Sequence, residues 1–489
     1  MSVRGAAIWA MSAQYVAFAI NFGVSVYLAR NYIGPDELGL FSIAFAAATL
    51  IAVFQDFGLT RYIAGEANLD DAKIRAACSL SLVIAWAIAL ISMGLSWPMA
   101  ALYEMPQLIP LMLVIGASYL LLPLVVVPRA LLQRNLDFKS NTMIEIGAAS
   151  ANAVVSIHLA RLGAGAMALA WGTLAQLVAR ALIAQWRNGL LLPWPLSFAG
   201  AGPILKFGGG SSLLVLSGTL SAKLPDLVIG RLISQGAVGL FGRANGLSGQ
   251  LRTLVSGAVT GVFYPAFARV RDRGEPLGPH YERVVSCYCG VTWPTMAGLA
   301  ILAEPLIRLL YGERWVGAAP LLQWIAISEI CFVALPLHVE LPILLGRMKA
   351  LIHRNLLDTL ASIVLLAIGA YVSLEAAAAS RFAYSVVWIF IYIGFLHGLV
   401  GFRWSGLLAN YAKSGAATLA AIAPLVAIYG FWQGPGELGF GAMLLGTLAG
   451  IAAWMATLWL TDHPLTREIT GVLGDILGRL RRPVPEKAA

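Results

Sequence analysis

Long apolar segments recur along most of this chain, and they constrain its fold more than any other feature. Each of fourteen such segments is long enough to cross the ~30 Å hydrocarbon layer of a bilayer as a helix. Only 12% of the residues are charged and 59% are hydrophobic, which excludes a water-soluble fold. The sequence predicts an all-α polytopic membrane protein with spans at 6–29, 38–54, 77–101, 108–127, 141–160, 164–185, 207–229, 238–263, 284–307, 318–345, 350–372, 382–400, 414–432 and 439–461.

Lysine and arginine are distributed unequally between the two predicted sides of the membrane. Of the 33 basic residues, 24 lie on the side of the termini, 6 in the opposite loops and 3 inside spans. Because cytoplasmic loops are enriched in Lys and Arg, both termini are predicted to be cytoplasmic. We expect a label at Gly274 to be cytoplasmic and one at Gly434 periplasmic. The formal charge of +9 therefore gives no reason to expect nucleic-acid binding.

The first hairpin of the chain is echoed about six spans later. Leu28-Ala29-Arg30 and Gly39-Leu40-Phe41 correspond to Ile229-Gly230-Arg231 and Gly239-Leu240-Phe241, an offset of 200 residues. An even number of spans per repeat gives two parallel six-helix lobes, related by an axis along the membrane normal and enclosing a central cavity. The predicted boundaries are 1–200 for the N-terminal lobe, 201–404 for the C-terminal lobe, and 405–489 for helices 13 and 14 with a basic amphipathic cytoplasmic tail, for which a frayed tail is the alternative.

Insertion of a charge into the bilayer costs about 2.5 to 3.5 kcal/mol, so ionisable residues inside predicted spans are functional candidates, and five of them qualify best. They are Lys223, Asp226, Arg243, Arg252 and Glu329. An internal ion pair between Lys223 and Asp226 and a snorkelling position for Arg243 are the alternatives to a functional role. Arg243 and Arg252 are nine residues apart, on opposite faces of a straight helix. An unpaired Glu329 would have a raised pKa and could exchange protons, so Glu329 and Asp226 are predicted ion-coupling residues.

Several motifs in both halves resemble one known family of membrane proteins. The first half contains 27–30 (YLAR), 34–41 (GPDELGLF), 56–59 (DFGL) and 128–139 (PRALLQRNLDFK). The second contains 226–230 (DLVIG), 238–244 (VGLFGRA), 263–269 (FYPAFAR), 310–315 (LYGERW) and 318–323 (AAPLLQ). Together these motifs resemble the polysaccharide (O-antigen or exopolysaccharide repeat-unit) flippase family of the multidrug/oligosaccharidyl-lipid/polysaccharide exporter superfamily.

The resemblance implies a transporter of the bacterial inner membrane. It implies movement of an undecaprenyl-pyrophosphate-linked oligosaccharide to the periplasmic leaflet, for exopolysaccharide or lipopolysaccharide synthesis. The expected partners are this lipid-linked substrate, membrane lipids, and a polysaccharide polymerase with its export machinery. No catalytic residue, cofactor or metal is expected. Since there is no nucleotide-binding motif, the expected driving force is an ion gradient, the membrane potential or consumption of the product.

The predicted substrate site follows from charge balance in the second half. Lys223, Arg243 and Arg252 have Asp226 as their only acidic neighbour in spans 7 and 8, and a pyrophosphate would supply the missing negative charge. A multidrug or other lipid exporter of the same fold is the main alternative function. A membrane-embedded polysaccharide polymerase is disfavoured, because the external loops are short and contain no histidine.

Overall fold

The structure is a computed structural model that describes most of the chain. It describes residues 3–66, 68–189, 191, 195–199, 201–431, 439–468 and 470. Inside helices, side chains are described except at 3–14, 203, 205–214, 217, 254–262, 264 and 265. Gly434 and the tail beyond residue 470 therefore lie outside the described residues.

The described residues form helices and connecting turns, with no strand among them, which confirms the all-α prediction. In chain order the helices are α1 (Val3–Asn31), α2 (Pro35–Ile51), α3 (Leu59–Gly65), α4 (Asp71–Gly94), α5 (Ser96–Tyr103), α6 (Leu108–Tyr119), α7 (Pro123–Arg134), α8 (Phe138–Arg161), α9 (Ala166–Asn188), α10 (Ala201–Leu232), α11 (Gln235–Asp272), α12 (Leu277–Ile301), α13 (Ala303–Tyr311), α14 (Ala319–Phe332), α15 (Glu340–Leu344), α16 (Met348–Val372), α17 (Leu374–Val400), α18 (Trp404–Phe431) and α19 (Phe440–Leu460).

Many of these helices are long and apolar enough to cross a bilayer. Within the described part of the chain there are 10 candidate spans, or 11 if the bent pair α6 and α7 counts as one. Three other long helices, α1, α10 and α11, cover the predicted spans 6–29, 207–229 and 238–263. The protein is a multi-pass membrane protein, and the number fourteen stays a prediction.

Two predicted spans are interrupted in the structure. The segment 108–127 was expected to be one helix, but α6 and α7 are bent by 45° at a short break. The segment 318–345 ends as a helix at Phe332, and turns follow, with Leu337 in the left-handed region at φ 59°. Pro336 removes a backbone donor there, so a continuous helix is disfavoured. Apolar composition extends across both breaks, and for this reason hydropathy did not reveal them.

The chain divides into two compact units. Unit 1 comprises Met1–Gly242, Leu310–Trp315 and Leu366–Ala377. Unit 2 comprises Arg243–Leu309, Val316–Leu365 and Ala378–Ala489. The predicted lobe boundaries at 200 and 404 stay a prediction.

The two echoed hairpins touch each other inside unit 1. A methyl group on Gly39, in α2, would overlap the backbone carbonyl of Gln235 at the start of α11. Reciprocally, a methyl group on Gly239 would overlap the carbonyl of Pro35 at the start of α2. Glycine is required at both positions because the backbones approach without room for a side chain.

Another contact in unit 1 joins two of the family-like motifs. Trp315 is completely buried, and its indole Nε1 donates a hydrogen bond of 2.9 Å to the carbonyl of Ala29 at the end of α1. A buried indole N–H needs such a partner. The contact explains why a tryptophan follows the LYGER sequence.

Unit 2 contains a buried histidine next to the end of α19. His463 Nδ1 accepts from the backbone N–H of Leu465 at 3.2 Å, and Nε2 lies 3.1 Å from Ser414 Oγ and 3.3 Å from Ser286 Oγ. This pattern assigns the proton to Nε2, so the ring is neutral. Burial lowers the pKa of His463 to about 4.

Candidate functional site

Three helices of unit 2 bring two arginines onto one buried carboxylate. Arg252 of α11 places Nε 3.3 Å from Glu329 Oε2. Arg381 of α17 donates from an Nη nitrogen to Glu329 Oε1 at 3.2 Å. We call Arg252, Glu329 and Arg381 the Glu329 cluster. It joins a predicted substrate residue to a predicted coupling residue, through an arginine that the sequence analysis had assigned to a loop.

The three side chains of the Glu329 cluster differ strongly in burial. The Glu329 side chain is 4% exposed, that of Arg381 is 21% exposed and that of Arg252 is 50% exposed. Two guanidinium groups and one carboxylate carry a net charge of +1. Because Glu329 is buried and Arg252 is half exposed, the surplus positive charge of the cluster is accessible at Arg252.

Glu329 is paired, whereas the sequence analysis considered it as an unpaired carboxylate. It lies near the C-terminal end of α14, because that helix stops at Phe332. Its two oxygens lie 3.2 and 3.3 Å from arginine nitrogens, so the unpaired state considered from the sequence is not formed. Its coupling role stays a prediction.

Aromatic and polar side chains surround the Glu329 cluster in unit 2. The Arg381 guanidinium carbon lies 5.8 Å from the ring centre of Phe332, and Phe332 packs against Tyr384 at 5.2 Å. The Tyr384 hydroxyl donates to Asp358 Oδ1 at 2.7 Å. Arg381 Nε is buried without a hydrogen-bond partner among the described residues. The cluster is thus held by packing on one side and is open on the side of Arg252.

The remaining predicted site residues lie elsewhere. Lys223 and Asp226 belong to unit 1, and Lys223 Nζ lies 5.2 Å from the ring centre of Phe45. Between these two described side chains there is no ion pair within 4.0 Å, so the internal pair considered from the sequence is not formed. Arg243 is the first residue of unit 2 and is half-buried.

Unit 1 contains a cluster of the same composition. Glu145 of α8 lies 2.7 Å from Arg129 of α7 and 2.9 Å from Arg180 of α9, each through an Nη nitrogen. We call these residues the Glu145 cluster. The side chains of Glu145, Arg129 and Arg180 are 27%, 36% and 28% exposed, so the three are exposed to a similar extent.

An apolar cavity of about 470 Å³ lies in unit 2 between α11, α12, α18 and α19. Its lining includes Leu251, Pro294, Leu299, Leu425, Ile451 and Trp454. Leu251 directly precedes Arg252, so the cavity and the cationic side chain lie at the same level of α11, about 100° apart around the helix. An amphiphile with an anionic head and a hydrocarbon chain has complementary chemistry.

The sequence analysis missed Arg381 because it placed the start of the last span of the second repeat at residue 382. The helix begins at Leu374, where Ser373 Oγ accepts from the backbone N–H of Ala376 at 3.0 Å. A serine at the N-cap, a glutamate in the first turn and then four alanines form a helix-start signal that the sequence contained. With that start, Arg381 falls two turns inside the helix.

Comparison with known proteins adds to this geometry. Residues 27–320 match the family described as polysaccharide biosynthesis protein, which is more than half of the chain. The chain belongs to this family. It is 24% identical over 341 residues to the lipopolysaccharide biosynthesis protein WzxC of Escherichia coli (strain K12), covering 68% of this chain and 67% of WzxC.

A second family relative and a solved structure agree with this assignment. The succinoglycan biosynthesis transport protein ExoT of Rhizobium meliloti (strain 1021) is 25% identical over 330 residues, covering 66% of this chain and 65% of ExoT. This polysaccharide biosynthesis protein thus spans about two thirds of the length of these two relatives. The structure of the lipid II flippase MurJ in an inward closed conformation superposes with a TM-score of 0.70 at 13% identity, over 92% of this chain and 98% of MurJ. That likeness establishes the fold.

Proposed function

We propose that this protein is a flippase for lipid-linked oligosaccharide repeat units. It moves an undecaprenyl-pyrophosphate-linked oligosaccharide from the cytoplasmic to the periplasmic leaflet of the bacterial inner membrane. The product supplies exopolysaccharide or lipopolysaccharide synthesis. Membership of the polysaccharide biosynthesis family supports the class of substrate, as do the names of the relatives WzxC and ExoT.

The observation that carries the proposal is the half-exposed guanidinium of Arg252 at the edge of a buried ion-pair cluster. A pyrophosphate is doubly charged and rich in acceptors, and a guanidinium can bind it with two parallel hydrogen bonds. Lys223 and Arg243 are further proposed substrate contacts. Asp226 and Glu329 are the proposed ion-coupling residues.

The apolar cavity beside Leu251 supports the lipid part of the substrate. A polyprenyl chain needs an apolar surface, whereas the oligosaccharide needs a polar path. The cavity offers the first, because its lining is almost entirely hydrocarbon. We propose that α18 and α19 contribute to holding part of the lipid chain.

The proposed orientation places both termini in the cytoplasm. Gly274 lies exposed in the turn after α11, so a cysteine there is a suitable probe once Cys78, Cys287, Cys289 and Cys331 are replaced. An impermeant thiol reagent should leave position 274 unlabelled in intact cells and label it after permeabilisation. Labelling in intact cells would contradict the orientation.

Deletion of the gene, followed by analysis of undecaprenyl-linked intermediates, tests the function. We expect loss of the surface polymer and accumulation of completed lipid-linked repeat units, both reversed by the wild-type gene. Normal polymer with increased sensitivity to toxic cations would favour the multidrug exporter instead. Accumulation of repeat units that reach the periplasmic leaflet but stay unpolymerised would favour the polymerase.

A further inference from the structure

We propose that Glu329 and Arg381 are positioning residues, which orient Arg252 to bind the pyrophosphate of a prenyl-linked substrate. The proposal rests on the proposed function and goes further, since it assigns roles to two residues that do not themselves touch the ligand. It also assigns a role to Arg381, for which the sequence analysis gave none.

The geometry of the guanidinium group is the first argument. Its five N–H donors lie in one plane and form two binding edges. Arg252 Nε lies 3.3 Å from Glu329 Oε2 as an ion-pair contact, and this oxygen accepts no hydrogen bond from the described residues. Among the described residues Arg252 donates no hydrogen bond, so the ion pair holds the guanidinium beside the carboxylate while its N–H donors are available for two phosphate oxygens.

The three side chains of the Glu329 cluster are buried to different extents. Exposure rises from 4% at Glu329 through 21% at Arg381 to 50% at Arg252. An incoming anion therefore meets Arg252 first, whereas Glu329 is inaccessible behind it. The enclosed members fix the geometry, and the open member is available for the ligand.

The third argument is electrostatic. Glu329 alone would neutralise Arg252 and remove its attraction for an anion. Arg381 contributes a second positive charge to the same carboxylate, so the cluster keeps a net charge of +1. The ring of Phe332 at 5.8 Å restricts Arg381 to this position. Arg381 thus allows Glu329 to orient Arg252 without cancelling its charge.

A titration of prenyl pyrophosphate binding tests the proposal. The full-length protein is purified in lipid nanodiscs and titrated with farnesyl pyrophosphate, farnesyl monophosphate and farnesol. Wild type should bind the pyrophosphate more tightly than the monophosphate. Arg252→Gln should weaken pyrophosphate binding by more than about tenfold, which corresponds to the loss of one or two hydrogen bonds to a charged group.

The decisive variant is Glu329→Gln. It raises the net positive charge of the cluster, so a purely electrostatic site would bind pyrophosphate more tightly. A positioning role predicts the opposite: about three- to tenfold weaker binding and a smaller preference for pyrophosphate over monophosphate. Arg381→Gln should weaken binding to a similar extent, and Arg381→Lys should restore most of the affinity.

Glu282→Gln is the matched control, because Glu282 is also a nearly buried carboxylate in unit 2. Its side chain is 9% exposed and lies 3.6 Å from Arg403. This variant should be less stable than wild type and should bind farnesyl pyrophosphate normally. If Glu329→Gln does not fold, Glu329→Asp still distinguishes the two roles, because it keeps the charge of the cluster and shortens the side chain. A positioning role predicts weaker pyrophosphate binding by this variant, whereas a purely electrostatic site predicts wild-type affinity.

The outcomes separate this proposal from the proposed function. Wild-type affinity and selectivity in Glu329→Gln and Arg381→Gln would overturn the positioning role and leave the flippase proposal intact. Tighter binding by Glu329→Gln would also overturn it. If wild type binds farnesyl pyrophosphate no better than farnesol, the proposed substrate recognition itself is wrong.

Discussion

The Glu145 cluster of unit 1 and the Glu329 cluster of unit 2 contain the same three side chains in the same connectivity. Each joins two arginines to one glutamate across three helices. In the Glu145 cluster all three side chains are between 27% and 36% exposed. In the Glu329 cluster the range is from 4% to 50%. Composition and net charge are equal, so the distribution of exposure is what distinguishes them.

This difference indicates different uses of the same residues. Partly exposed pairs contribute little to stability, so the Glu145 cluster is best understood as a clamp between α7, α8 and α9. An enclosed carboxylate depends on its arginines, and the surplus charge is available only on the exposed arginine. A charge cluster becomes a candidate ligand site when its exposure is uneven.

The largest expected difference concerns polymer export. Arg252→Gln should reduce export by more than about tenfold in a complemented deletion strain, because the proposed ligand contact is lost. Arg129→Gln should leave export within about twofold of wild type, since Glu145 keeps Arg180. Polymer is measured at equal membrane abundance of the two variants. Equal losses would remove the functional distinction between the clusters.

Stability should differ in the same direction. Glu329→Ala leaves the largely buried Arg381 without its carboxylate and should cost about 3 kcal/mol. Glu145→Ala should cost about 1 kcal/mol or less, because all three side chains are partly exposed. Chemical unfolding in detergent micelles, followed by tryptophan fluorescence, measures both values. Similar costs would show that burial does not separate the clusters energetically.

The two units should also respond differently to pH. The folded pKa of His463 is about 4, below the ordinary value of 6.5, so its contribution is present above pH 6.5 and is lost as pH falls toward 4. In unit 1, the hydrogen bond from Ser140 lowers the pKa of Asp137, and its contribution persists until pH falls below about 3.8. Unfolding midpoints measured between pH 8 and pH 4.5 should therefore decrease as the pH is lowered, and His463→Asn should flatten this dependence. An unchanged slope in that variant would assign the loss to other groups.

Salt should give the smallest difference. Raising ionic strength from 0.15 to 1 M shortens the screening length from about 8 Å to about 3 Å. The destabilisation caused by Arg129→Gln should shrink by a few tenths of a kcal/mol, whereas that caused by Arg381→Gln should not change, because its partner is enclosed. The same unfolding assay, repeated at both salt concentrations, provides the comparison.

Hydropathy predicted the helical class of this fold, but not its interruptions. Long apolar segments determine where helices can cross a bilayer. The start of α2 also has a clear signal, the Gly-Pro-Asp-Glu sequence at 34–37, in which Glu37 Oε2 accepts a hydrogen bond of 3.0 Å from the N–H of Gly34. The break after Phe332 depends on backbone geometry at Leu337, and a hydropathy average does not contain that information.

The candidate site was predictable only in part. The cost of burying charge identified Arg252 and Glu329 as unusual residues, and the structure places them in contact. Their pairing joins helices 77 residues apart in sequence, and no periodicity within one helix can predict such a pairing. Arg381 could be assigned to a helix only if the start of α17 was predicted correctly, and the Ser373 cap was the sequence signal for that start.

The reciprocal contact of Gly39 and Gly239 has a consequence for how a duplicated chain can diverge. In a sequence that contains a repeat, most corresponding positions can change independently, because each residue has its own neighbours. Positions 39 and 239 cannot change independently, because a methyl group on either one would overlap the backbone of the other hairpin. Each copy is part of the other's environment, so divergence at one is limited by the other. In related chains we therefore expect both positions to retain glycine, or to change together with a shift of both helix starts.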